Sequence, residues 1–261
     1  MLYKELAPIP KEAWDEMEER LMEVFKTYLS ARKVVRVEGP KGLQYNVISQ
    51  GRLGDIEEDG DLCYGTYQVL PLTEVRVEFK MDKWELDNIL RGAKDIDYEP
   101  LEEAAKKIAL FEENAIYNGL ESSHIKGMVQ IAEGGTIDFG KDPRAIMDSI
   151  ATGLIKLKEV YQEGPFTLIV GEEAYKRIIS TETGYPLKRR IEELIDNKII
   201  YSHVLDGALL VPYDHEDLEL TLGEDLSLGY QYNDNREITF FITESFTFRV
   251  LDPSIIVKYN V

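Results

Sequence analysis

Trp14, Met17, Leu21, Val24, Phe25 and Tyr28 recur at steps of three and four residues after Pro8 and Pro10, while Asp15, Glu16, Glu18 and Glu19 fall off that line. The spacing predicts an amphipathic helix with one apolar stripe. Val34 to Glu38 reads as a strand closed by a Gly39-Pro40 turn. Val75, Val77 and Phe79 alternate with polar neighbours, as on a strand with one buried face. Asp82 then stands as a helix N-cap, with Glu85 completing a capping-box pattern and Leu86, Ile89 and Leu90 at helical spacing. A second long helix opens at Pro100, carries Leu101, Ala104, Ala105, Ile108, Phe111, Ala115 and Ile116 on one face, and ends at Gly119.

Asp142-Pro143 caps a third helix with the stripe Ile146, Ile150, Leu154 and Leu157. Phe166 to Val170 is a short buried strand followed by a helix from Glu172 to Ile179. Gly184-Tyr185-Pro186 breaks the chain before a helix containing Ile191, Leu194 and Ile195. The last third is β, with strands over 199–204, 208–211, 218–222, 226–232 and 238–242 and a closing strand on which Phe246, Phe248 and Val250 alternate. The fold class is α+β. Residues 48–70 differ from the rest: Gly51, Gly54, Gly60 and Gly65 interrupt short apolar pieces. An extended hairpin with little core of its own is expected there, either mobile or docked on a neighbour.

The 261 residues suffice for a sizeable core, and no apolar run approaches the ~20 residues that span a bilayer. The N-terminus lacks a signal-peptide layout. Cys63 is the single cysteine, so a reducing, cytoplasmic setting is expected. Asp plus Glu number 49 against 30 Lys plus Arg, a formal net charge of -19, the reverse of a nucleic-acid binder. A catalytic constellation cannot be assembled. The chain has no glycine-rich phosphate loop, no Gly-x-Ser-x-Gly and no dinucleotide fingerprint. His124, His203 and His215 are scattered without the Glu-x-x-His of a di-iron centre, and Cys63 lacks a basic activator. Glu112 and Glu113 are read as a solvated helix face, and Asp214, Glu216 and Asp217 around His215 as a polar turn. No enzyme activity, catalytic residue or metal site is expected.

Four segments then carry a resemblance. They are Phe25-Lys-Thr-Tyr-Leu-Ser-Ala-Arg-Lys-Val-Val-Arg-Val-Glu-Gly-Pro40; Arg76 to Arg91 preceded by Leu70-Pro-Leu72; Glu163 to Val170 with Tyr185-Pro-Leu-Lys-Arg-Arg190 behind it; and Leu222 to Tyr230 continuing through Phe241 to Phe248. In joint order and spacing they resemble encapsulin shell proteins, which form icosahedral compartments with the HK97-like capsid fold of tailed bacteriophages. The resemblance implies a peripheral domain (1–47, 77–126 and 216–261), an extended loop (48–76) and an axial domain (127–215). It implies a homo-oligomeric shell closed by symmetry, enclosing a cargo enzyme of the ferritin-like iron-storage or peroxidase kind through a C-terminal targeting peptide on the cargo. The positions matching the peptide's inner-wall site are Phe25, Tyr28, Leu29, Arg32, Leu228 and Tyr230. Thr181, Glu182, Thr183, Gly184 and Tyr185 match a five-fold pore segment in which Glu182 attracts cations. Trp84, with Arg76 close by, matches a platform for flavin (FMN). The alternative is a (pro)phage major capsid protein packaging DNA. The acidic balance, and a start directly at the peripheral helix with no scaffolding segment, favour the compartment.

Overall fold

A computed structural model describes residues 2–180 and 184–261. The first stripe forms α1, Lys11–Tyr28, burying Ala13, Trp14, Met17, Leu21 and Phe25. A 3₁₀ turn leads into β1, Arg36–Glu38. Val34 and Val35, expected inside that strand, are buried ahead of it. The glycine-punctuated stretch holds β2 (Val47–Leu53), β3 (Glu57–Asp59), β4 (Leu62–Tyr64) and β5 (Tyr67–Pro71). β2 pairs antiparallel with β5, and β3 with β4 farther out. Ile48 and Leu70 are buried at the root of this arm, whereas Leu53, Ile56, Leu62, Tyr64, Tyr67 and Val69 are exposed.

β6, Thr73–Asp82, runs from the arm into α2, Lys83–Arg91. Asp82 caps that helix by accepting from the Trp84 N–H at 2.8 Å, while Gly92, at a φ of 83°, ends it in the left-handed conformation glycine tolerates. Glu85 does not close the capping box. Its carboxylate accepts from Asp97 N–H at 2.9 Å and from Asn88, pinning the following loop instead. α3, Glu99–Asn118, starts with Pro100 in its first turn. Its first half packs with α1, α2 and β6, and its last residues Ala115, Ile116 and Tyr117 enter a second core.

The second core is built by α4 (Met128–Ile131), β7 (Thr136–Asp138), α5 (Pro143–Glu159), β8 (Phe166–Val170), α6 (Glu172–Ile179), α7 (Leu187–Ile195), β9 (Ile199–Tyr201) and β10 (Ala208–Pro212). Asp142 caps α5 through the N–H groups of Arg144 and Ala145, at 3.0 Å each. The chain then returns through β11 (Leu218–Leu222), β12 (Ser227–Asn233) and β13 (Glu237–Val250) and finishes on β14 (Val257–Asn260).

Two five-stranded sheets result. In the first, β6 pairs along one edge of β13. β12 takes the first half of its other edge, β11 takes the second half, and β1 lies parallel to β11. The second sheet has the order β7-β14-β10-β8-β9. Two expectations change. Ile238–Ile242 and Phe246–Val250 are halves of one 14-residue strand, and the polar residues between them, Thr243, Glu244 and Ser245, are buried. Residues 216–261 were expected to form one unit with the first sheet, yet β14 pairs with β10 and β7, because Val257 and Tyr259 fill the second core. Among the described residues no helix is long and apolar enough to cross a membrane.

Candidate functional site

A groove lies between α1 and the start of β12. Leu21, Met22 and Phe25 form one wall, and Leu226, Ser227 and Leu228 the other. Lys4 and Glu18, ion-paired to each other, close one end, and the cavity volume is about 250 Å³. Helical spacing places Leu21 and Phe25 one turn apart on the stripe that faces the sheet. Met22 stands off that stripe and is 51% exposed. The N-terminal segment is tied down beside the groove, where Tyr230 N–H donates to the Leu2 carbonyl at 2.8 Å.

Of the six residues expected at a peptide site, Phe25 and Leu228 meet in this groove as its buried floor. Leu29 is buried in the core beneath. Tyr230 is half-buried, and its hydroxyl donates to Asn233 Oδ1 at 2.6 Å. Tyr28, one turn beyond Phe25, contacts the His203 ring at 4.6 Å between centroids. Leu21, Met22, Leu226, Lys4 and Glu18 were not anticipated. The available signal was Met22, an apolar residue on the polar side of an amphipathic helix.

Arg32 does something else. Its Nε lies 2.9 and 3.0 Å from the two carboxylate oxygens of Glu112. Nη2 donates to Glu112 Oε2 at 2.5 Å and to Glu244 Oε2 at 3.0 Å, and Nη1 to Asp225 Oδ1 at 2.7 Å. Burial works against this guanidinium's charge, but Glu112, Glu244 and Asp225 more than offset it and raise its pKa further. Arg32 is held by three carboxyl groups, with 17% of its side chain exposed. Glu244 is fully buried on β13. Burial first, then the neighbouring charge of Glu112, push its pKa well above the carboxylate range against the pull of Arg32.

Glu112 and Glu113 are likewise fully buried, which overturns the solvated-face reading. They stand four residues after Ile108 and Ala109, inside the apolar stripe of α3. Glu113 accepts from Ala31 N–H at 2.7 Å and from the Ser30 hydroxyl, which also bonds Tyr117 Oη at 2.9 Å. Burial raises Glu113 to about 7, with Ser30 and Ala31 opposing the shift and Glu112 reinforcing it. These residues form a polar seam where α3 passes from one core to the other. Among the described residues no cluster of three or more His, Cys, Asp or Glu could hold a metal ion, since the convergent carboxyls here enclose a guanidinium.

Residues 1–247 match a protein family described as an encapsulating protein for peroxidase. The chain belongs to the encapsulin family. It is 34% identical over 253 residues to the type 1 encapsulin shell protein of Brevibacterium linens, covering 96% of this chain and 95% of that protein. Against the type 1 encapsulin shell protein of Mycolicibacterium paratuberculosis it is 33% identical over 249 residues, covering 95% and 94%. Among solved structures, the virus-like particle from Pyrococcus furiosus aligns with a TM-score of 0.64 at 17% identity, over 94% of this chain and 98% of that one. The capsid of a native GTA particle aligns at 0.55 and 13% identity, over 89% and 90%. At such identities the likeness shows the fold alone, which is the expected α+β HK97-like capsid fold. The curated relatives at 33–34% identity carry encapsulin names, so the phage-capsid alternative has the weaker support.

The remaining encapsulin-like positions are scattered. Arg76 lies on β6 with its guanidinium 4.2 Å from the Phe241 ring centre and beside Glu74. Trp84 opens α2, is 70% exposed and has Arg91 over its ring at 5.6 Å. Six extended residues of β6 from Arg76 to Asp82, roughly 20 Å at ~3.3 Å each, lie between Arg76 and the start of the helix that carries Trp84. Of the pore segment, Thr181, Glu182 and Thr183 lie outside the described residues. Gly184 takes a φ of 50°. Tyr185 is exposed and donates to Glu193 at 2.5 Å, a bond that raises the phenol's pKa.

Proposed function

We propose that this chain is the non-enzymatic wall of a protein compartment and that the α1–β12 groove receives a targeting peptide from an enclosed enzyme. The groove carries the reading: a shallow apolar channel whose exposed lip, Met22, has no structural use within its own helix. Two or three apolar side chains of an extended peptide fill such a volume, and Lys4 and Glu18 offer polar contacts at the closed end. A peroxidase is the cargo class supported by the family's description; a ferritin-like iron-storage enzyme is the other class the sequence resemblance implies. The exposed apolar residues of the arm suit contact with a neighbouring subunit. The capsid fold supports a division into peripheral domain, axial domain and extended loop, with closure by symmetry.

Co-expression with a candidate cargo, followed by electron microscopy and mass spectrometry of the purified particles, tests both parts. Closed particles retaining the cargo are expected. Met22→Glu places a charge on the groove's exposed lip, where folding does not depend on it, and is expected to leave particles intact while emptying them. Undiminished cargo in the variant removes the groove from the reading, and the absence of particles removes the shell.

A further inference from the structure

Four rings form a continuous file across the junction of the two cores. Tyr28, in the last turn of α1, contacts His203 at 4.6 Å. His203 meets Tyr201 at the end of β9 edge-on at 4.8 Å, and Tyr201 meets Tyr175 of α6 at 5.4 Å. A lysine stands at each end: Lys106 of α3 lies 5.4 Å from the Tyr28 ring centre, and Lys188 of α7 lies 6.0 Å from that of Tyr175. His203 and Lys106 are exposed and the other members half-buried.

The file is a local exception in a chain of formal charge -19. Lys106 and Lys188 contact rings and form no ion pair among the described residues. The groups acting on His203 are also cationic. Partial burial, then Lys106 and Lys33, lower its pKa. In this acid-rich chain, a strip whose ammonium groups form no ion pair among the described residues is complementary to an anion.

The ring geometry selects the kind of anion. Nucleic-acid strips work by stacking bases on free aromatic faces. Here Tyr28 and Tyr175 each engage another ring and a lysine, and His203 and Tyr201 each contact two rings. What remains for a partner is ring edges, which carry the positive end of the aromatic quadrupole, phenol hydroxyls and ammonium groups. All of these suit carboxylates. Three ring-to-ring steps near 5 Å give a file of at most roughly 15 Å, which an extended peptide at ~3.3 Å per residue covers with about five residues.

We propose that the Lys106–Tyr28–His203–Tyr201–Tyr175–Lys188 file is a docking strip for a short acidic peptide segment of a protein partner. The full-length protein is dissociated and reassembled with fluorescein-labelled hexaglutamate, so that both faces of any wall are reachable, and peptide retention is read by fluorescence polarisation. Binding at low salt that weakens on raising the salt is expected. The double variant Lys106→Glu/Lys188→Glu is expected to bind at least tenfold more weakly. Lys94→Glu/Lys158→Glu, with the same charge change elsewhere, is expected to bind as the parent does. Circular dichroism confirms that both variants are folded. Equal weakening by the two double variants, no binding by the parent, or tighter binding of a labelled oligothymidylate than of hexaglutamate would each overturn the proposal.

Discussion

Replacing Glu113 by glutamine removes a titration that the fold has moved into the neutral range. Burial raises this carboxyl from 4.5 to about 7. Between those values the native chain keeps a proton that the unfolded chain has released, so stability falls as pH rises, and the loss levels off above about 7. At 1.36 kcal/mol per pKa unit, the shift corresponds to about 3 kcal/mol across the window. Glutamine is close in shape to the protonated acid. It keeps an acceptor for Ala31 N–H and offers a donor to the Ser30 hydroxyl, so the variant should exceed the parent by under about 1 kcal/mol at pH 5 and by about 3 kcal/mol at pH 7.5. Glu244, also raised, adds a slope of the same sign in both proteins; the difference between variant and parent isolates Glu113. Urea unfolding followed by tryptophan fluorescence at pH 5, 6, 7 and 8 measures that difference. An offset that stays constant with pH refutes the reasoning, because it shows Glu113 ionised and accommodated throughout.

Arg32→Met leaves Glu112, Asp225 and Glu244 around a missing cation, for which a loss of about 3–5 kcal/mol is expected. Arg32→Lys should rescue little of it, since a single ammonium cannot replace the forked contacts to three carboxyls. Unchanged urea midpoints in either variant would contradict the role of the seam. At Gly153 in α5, an added Cβ would lie 2.0 Å from Tyr259 Oη. Gly153→Ala should therefore lower stability by about 1–3 kcal/mol through overpacking. Tyr259→Phe, which removes the obstructing oxygen, should restore most of that loss in the double variant, and thermal unfolding of the four proteins measures the coupling.

The helices were legible because their signals are local. The stripes of α1, α3 and α5, the Asp82 and Asp142 caps, and the glycine-broken arm all arise from spacings of a few residues, and periodicity reports those directly. Phe25 and Leu228, named through the encapsulin-like segments and not through local spacing, both line one groove. Its exposed lip at Met22 was passed over because an apolar residue off the stripe reads as incidental. Local alternation also split β13 in two, as Thr243-Glu244-Ser245 looks like a break until a buried partner for Glu244 is known.

What the sequence alone determined was the α+β class, the identity of most elements and, through the encapsulin-like segments, the shell family. The tertiary structure alone decided the fate of the charged residues. Arg32 meets Glu112 across 80 positions, Asp225 across 193 and Glu244 across 212. A carboxyl in a helical stripe is solvated or buried according to whether the fold delivers a guanidinium, a hydroxyl or a backbone N–H to it, and no local spacing records that delivery. The Arg32 seam gathers these distant residues into one buried cluster.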